Sequence, residues 1–306
     1  MPAWGDIFEE IKEEAETQPS PFDTVRTKYL KQLTDHTGRD AILYSSGWTE
    51  LEANSTKFSI SEPDVHGFMQ TIHGLEKSKL DLIIHSPGGS PEVAEQIVTY
   101  LRAKFDDIRM IVPQSAMSAA TLMCCAANTV LMGHHSSLGP TDPQILLLTE
   151  AGRRWVAAQS IIDQFNEIDE KAQKGDEIFH YEPILSQYNP GLLQEAKRAL
   201  SLSQSLAEDW AEEHMFDGNS NATALAQNLS QYLSTHDEFM SHSRRISKDQ
   251  VEEEGMAVQS LEEDQHLQDL VLSIFHATMI THNRRNIAKI VENQHGDLFS
   301  LEVATG

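Results

Sequence analysis

Residues 80–144, LDLIIHSPGGSPEVAEQIVTYLRAKFDDIRMIVPQSAMSAATLMCCAANTVLMGHHSSLGPTDPQ, constrain the fold more than any other part of the chain. Residues 80–85 form a short apolar run that Ser86-Pro87-Gly88-Gly89 breaks, and 90–104 then carry Val93, Ile97, Val98 and Leu101 at helical spacing. Residues 108–112 are a second apolar run, 115–127 a second helical segment rich in small residues, and 129–132 a third strand. Short apolar strands alternating with helices predict βαβ units, hence a parallel sheet buried on both faces. Ligands of such sheets bind at the carboxyl ends of the strands. The Gly-Gly turn and the turn at 115–118 both fall there.

That placement carries chemistry. Gly88 and Gly89 have no Cβ, so backbone N–H groups there can face a cleft that a substrate approaches closely. Ser118, in the first turn of the second helix, sits where unpaired N–H groups and the positive dipole end favour a developing negative charge. A serine so placed, with one donor from Gly88 or Gly89 and one from the Ala119 N–H, supplies a nucleophile and an oxyanion hole. The same residues also describe a tight turn followed by a helix packed close on a sheet, and spacing alone leaves both readings open.

HSPGGS at 85–90, AMSAATL at 116–122 and LGPTDPQ at 138–144, in that order and spacing, resemble the Clp-fold serine peptidases. Within them the chain is most similar to the serine dehydrogenase proteinases, relatives of signal-peptide peptidase and of the Clp protease subunit. The resemblance covers residues 40–145 strongly and the remainder weakly. It implies an α/β, Clp/crotonase-like fold with repeated ββα-type units and an α-rich C-terminal half. It also implies Ser118 as nucleophile and Gly88 and Gly89 as oxyanion glycines. Where relatives usually carry Gly after the Ser-Ala pair, this chain has Ala120, which takes space beside the nucleophile.

The expected organisation is an N-terminal helical arm, 1–38, then one domain, 39–306, whose helical cover is residues 192–306. Residues 153–174 read as a long amphipathic helix and 258–291 as largely helical, with Leu267, Leu270, Val271, Ile274 and Phe275 on one stripe. Such a stripe is buried in the core or at a subunit contact, and relatives of this fold associate through helical segments. A homo-oligomer is therefore expected.

Composition excludes several classes. The formal charge of −24 argues against nucleic acid and against anionic membrane surfaces, both of which demand a basic face. No apolar run reaches the roughly 18 residues of a membrane span, and the acidic start MPAWGDIFEEIKEEAE lacks the layout of a secretory signal. A cytoplasmic protein is expected. Cys124 and Cys125, adjacent on an apolar segment, read as reduced core residues, with no cysteine-based zinc site. His134, His242, His276 and His282 show no metal spacing, and His85 reads as a structural strand-end residue. Neither a pyridoxal-phosphate lysine motif nor an iron–sulfur cysteine set is visible, so no metal or cofactor is expected and amino-acid dehydratase chemistry is excluded.

A serine hydroxyl needs a proton acceptor within hydrogen-bond reach. Relatives use histidine with aspartate or a lysine dyad. His135 follows the third strand, at a position where the group commonly has His, and also reads as a turn residue. Lys171 and Lys174 stand at a distance broadly similar to that of the lysine in dyad relatives, and also read as a solvated helix end. Asp142 could orient a base or simply make an Asp-Pro turn, and Ser115 is the rival nucleophile. The reading is a serine peptidase that hydrolyses peptide or protein substrates through an acyl-enzyme. Its rivals are a catalytically weak scaffold or binding protein on the same fold, and an acyl-CoA enzyme of the crotonase type. The latter lacks a basic cluster near Gly88 for the CoA phosphates.

Overall fold

The computed structural model describes residues 2–52, 56–149, 152–175, 177–234 and 244–303. His242 lies outside the described residues. Two helices, α1 (Trp4–Glu14) and α2 (Pro21–Thr37), precede strand β1 (Asp40–Ser46), and α3 (Pro63–Ile72) leads to β2 (Lys79–His85). Next come α4 (Pro91–Arg102), β3 (Asp107–Val112), the two-residue β4 (Ser115–Ala116), α5 (Ala119–Cys125), β5 (Thr129–Met132) and β6 (Ser137–Leu138). The hairpin β7 (Gln144–Thr149) and β8 (Gly152–Ala157) opens the second half, followed by α6 (Ala158–Lys174) and the long helix Leu192–Trp210. The chain closes through β9 (Ile246–Ser247), β10 (Val258–Ser260), the helix Gln265–Arg285, β11 (Ile287–Asn293) and β12 (Leu298–Glu302).

Seven strands form the main sheet in the order β10-β5-β3-β2-β1-β11-β12. The five from β10 to β1 run parallel, and β11 lies antiparallel beside β1. A second, small sheet, β4-β6-β9, rises from the carboxyl ends of β3 and β5. Strand β3, strand β4 and helix α5 thus make one ββα unit of the expected Clp/crotonase-like fold. The continuous apolar strands are explained by burial on both faces. Leu82 and Ile84 join the core beneath α4 and α5, whereas Ile83 joins Ile111, Leu131, Val271 and Ile274 on the face under α2 and Gln265–Arg285.

Three segments differ from the sequence expectation. Residues 153–157 are a strand, not the start of a long helix, because Leu146 pairs with Trp155 and Ile145 with Val156 across the hairpin. Residues 258–260 and 287–293 are strands too. Asn286, at φ 53°, ends the helix in a left-handed cap, and β11 inserts between β1 and the edge strand β12. The helical cover therefore contains a sheet strand. Residues 115–127 split into β4, a turn at Met117-Ser118 and a seven-residue α5, so Ser118 precedes the helix instead of lying inside its first turn.

Residues 2–38 pack onto the sheet. Arg26, fully buried, holds Glu292 of β11 at 2.6 Å, and its guanidinium also donates to Asp23 and Thr281. The stripe Leu267, Leu270, Val271, Ile274 and Phe275 is buried within the chain. No helix of the described residues is long and apolar enough to cross a membrane. No group of three or more His, Cys, Asp or Glu among them could hold a metal ion.

Two buried histidines are expected to make the fold lose stability in acid. Burial, with His282 and Arg245 adding repulsion, pushes His85 down to about 3, and burial pushes His282 down to about 4. The Ile287 carbonyl accepts from His282 Nδ1 at 2.6 Å, which leaves Nε2 to accept from Ser45 Oγ at 3.0 Å. Their folded values lie below the unfolded ~6.5, so the unfolded chain binds protons first and stability falls as pH drops from about 6.5 towards 3. The two shifts correspond to roughly 5 and 3 kcal/mol for His85 and His282 once both states are protonated. Urea unfolding at pH 7 and pH 5 is expected to show this loss, with a shallower dependence in His282→Asn. An unchanged dependence in that variant counts against it.

Candidate active site

The three motifs meet at the carboxyl ends of β2 and β3. Ser86 is locked to the neighbouring crossover: its N–H donates to Ser115 O at 3.1 Å, and its carbonyl accepts from Met117 N at 2.9 Å. The chain then turns through Gly88 (φ 89°) and Gly89 (φ 154°), and Ser90 caps α4 by accepting from Val93 N at 3.2 Å. Gly88 lies so close to the nucleophile turn that a Cβ there would stand 2.5 Å from Met117 O and 2.7 Å from Ser118 Cβ. The third motif closes from below, with Gly139 N–H shared by Ala116 O and Thr121 Oγ1 at 3.1 Å each.

Ser118 stands at φ 52° and ψ −120°, one of two non-glycine residues with positive φ among those described. Such a conformation costs on the order of 1–3 kcal/mol and persists only where surrounding structure imposes it, which is common at catalytic turns. Hydrogen bonds on both sides impose it here, from Ala120 N–H to Met117 O at 3.0 Å and from Leu122 N–H to Ser118 O at 3.1 Å. Ser118 is half-buried and its hydroxyl has no hydrogen-bond partner among the described residues.

The serine opens into a cavity of about 760 Å³ that Gly88, Gly89, Ala119, Leu122, Thr141 and Trp155 help to line. Gly88 N–H donates to Ser86 Oγ at 3.2 Å. The N–H groups of Gly89 and Ala119 have no acceptor among the described residues, so two donors border the cavity beside one serine hydroxyl. Such an arrangement can bind an anion that develops on a carbonyl oxygen under attack.

The structure brings Ser118, Gly88, Gly89 and Ala119 together and keeps the three base candidates off this lining. His135 is exposed, next to Gly133 and near His276. Lys171 is held by Glu167 at 2.8 Å and by Tyr181, and these bonds push its pKa up, opposite to what a lysine base needs. Lys174 is exposed, 3.7 Å from Glu170. Asp142 is buried and accepts from Gln144 Nε2 at 3.0 Å, and Ser115 Oγ faces Ser137 Oγ at 3.1 Å inside the small sheet.

Sequence reasoning missed two parts of the site. Residues 59–61 flank the glycine loop: Ile60 N–H donates to Gly88 O at 2.7 Å, and Ile60 O accepts from Ser90 N at 3.0 Å. Trp155 falls within the helix expected over 153–174, whereas it stands 64% exposed on the hairpin, at the cavity mouth. Gly152 between two short apolar runs, 145–148 and 155–157, was the available signal for the second, whereas nothing local announces the first.

Comparison with known proteins bears on this geometry. Residues 63–177, which contain the whole serine–glycine arrangement, match the family model described as ClpP-like SDH-type serine proteinase. Two uncharacterized proteins of Methanocaldococcus jannaschii are similar. MJ0137 is 41% identical over 87 residues (28% of this chain and 30% of that protein). MJ1495 is 32% identical over 134 residues (41% and 45%). The chain thus spans less than half the length of either relative. Among solved structures, a Ser-to-Ala mutant of the membrane-bound stomatin-specific protease 1510-N aligns over 69% of this chain and 79% of its own, with 14% identity and a TM-score of 0.41.

Proposed function

We propose that this chain, whose residues 63–177 match the ClpP-like SDH-type serine proteinases, is a serine peptidase that hydrolyses peptide bonds through an acyl-enzyme on Ser118. One observation carries the reading: a strained serine opens into a cavity beside the acceptor-free N–H groups of Gly89 and Ala119. Ser118 Oγ attacks the substrate carbonyl carbon and loses its proton to a base. The carbonyl oxygen becomes an oxyanion that takes hydrogen bonds from Gly89 and Ala119. Collapse expels the amine, which receives the proton, and water then releases the acid by the same steps in reverse roles. Gly88 contributes by its missing side chain, which lets the loop lie against the serine.

The proton acceptor belongs to this proposal. His135 remains the candidate by kinship, while the contacts of Lys171 and Lys174 with Glu167, Tyr181 and Glu170 argue for helix-surface roles. A fluorophosphonate probe is expected to label the protein at Ser118, as located by mass spectrometry of the digested adduct. Lys171→Ala and Lys174→Ala should label within about threefold of the parent rate, since a true base would cost on the order of a hundredfold. Absence of labelling in the parent sinks the peptidase reading and leaves a binding or scaffold role on this fold. A cytoplasmic site of action and a homo-oligomeric state belong to the same proposal. The exposed Leu146, Leu148 and Trp155 on the hairpin are the surface on which the second rests.

A further inference from the structure

Lysine is almost never fully buried unless paired. Lys289 of β11 and Asp64 of α3 are both fully buried, with Lys289 Nζ 2.7 Å from each Asp64 carboxylate oxygen. Neither lines the Ser118 cavity, yet their contacts reach Ser59 and Ser61, which do. Lys289 Nζ donates to Ser59 O at 2.7 Å and stands 3.4 Å from Ser61 Oγ. Asp64 Oδ2 accepts from Ser61 N–H and from Tyr44 O–H, each at 2.9 Å. Each member of the ion pair therefore ties down one neighbour of Ile60.

Ile60 in turn grips the glycine loop on both sides of Gly89, through Gly88 O and Ser90 N–H. The approach is so close that a Cβ on Gly89 would collide with the Ile60 backbone N and O. A buried ion pair is weak evidence for stability, since desolvating two charges offsets most of their attraction. Burial lowers the Lys289 pKa, and Asp64 pulls against that shift. What the pair supplies instead is two fixed points, a donor at Ser59 O and an acceptor at Ser61 N–H.

We propose that Lys289 and Asp64 are positioning residues for the oxyanion loop: they clamp residues 59–61, and through Ile60 they fix where the Gly89 N–H stands at the Ser118 cavity. The proposal rests on the peptidase reading, because a loop with no oxyanion to bind needs no such precision. Neither side chain touches substrate.

The double variant Asp64→Leu/Lys289→Met removes both charges together and so avoids stranding one in the core. It is expected to fold, by circular dichroism and a cooperative melt, while kcat for a fluorogenic peptide falls on the order of a hundredfold and KM stays within about threefold. Amide exchange should quicken at residues 59–61 and 88–90 and stay unchanged in β3. Lys289→Arg keeps a cation and donors and should retain a rate within about tenfold of the parent. A folded double variant with kcat within about threefold of the parent, or with unchanged exchange at 59–61 and 88–90, overturns the proposal. If the double variant does not fold, Asp64→Asn/Lys289→Met, which keeps the volume at Asp64 and strands no charge, carries the same expectation and the same refutation. A parent that the fluorophosphonate fails to label overturns the peptidase reading and this proposal together. A labelled parent with an unaffected double variant overturns the positioning role alone.

Discussion

Ser118→Ala is expected to lower peptide hydrolysis by on the order of 10⁴-fold or more, with a melting midpoint within a few degrees of the parent. The rate loss follows from removing the only atom that can form the acyl-enzyme. The small stability effect follows from the hydroxyl's surroundings: it is half-buried and has no partner among the described residues, so deletion strands no buried donor or acceptor. Ser118→Gly sharpens the test. Glycine adopts φ 52° without steric cost, so this variant should be as inactive yet more stable than Ser118→Ala by about 1 kcal/mol. Between these two variants stability rises with no return of activity, as expected where the fold holds a side chain in a strained pose for chemistry. Turnover of a fluorogenic peptide library by Ser118→Ala at the parent rate would refute the assignment.

How much of this was legible beforehand depends on how local the signal is. The three motifs lie within 60 consecutive residues, 85–144, and the first two each form a turn at a strand end, so local periodicity placed those two on the same edge of the sheet. Buried strands such as β2 announce themselves by composition. Strand β11 does not, because Lys289 and Glu292 interrupt its apolar pattern. Those charges are tolerated inside the sheet only because Asp64 and Arg26 meet them from segments more than 220 residues away. Strand β8 of the hairpin falls within the helix expected over 153–174, because its apolar residues satisfy either period over so short a span. The left-handed φ of Ser118 was illegible for a third reason: serine carries no mark of it, and the hydrogen bonds at Met117 O and Ser118 O that impose it, like the crowding of Gly88 against residues 117–119, exist only in the folded turn. The base was the weakest reading, since sequence distance from Ser118 says nothing about direction in space.

That crowding yields the second large effect. Gly88→Ala puts a Cβ 2.5 Å from Met117 O, 2.7 Å from Ser118 Cβ and 3.0 Å from Ala119 N, at a backbone φ of 89° that alanine rarely adopts. Two of these neighbours are backbone atoms, so relief requires moving the turn that presents the nucleophile and one oxyanion donor. Displacement of that donor alone is worth on the order of 10²–10³ in kcat. The strained φ and the overpacking together should cost about 2–4 kcal/mol of stability. Gly175→Ala separates the two contributions, because it carries a similar φ of 78° with nothing within 4 Å of the added Cβ. It should lose about 1 kcal/mol and hydrolyse peptides at the parent rate. The difference between the variants, measured by urea unfolding and by kcat on one peptide, isolates the contact between loop and nucleophile. Equal kcat in the two would mean that the glycine loop can recede from Ser118 without consequence, and the oxyanion assignment to Gly89 and Ala119 would fall with it.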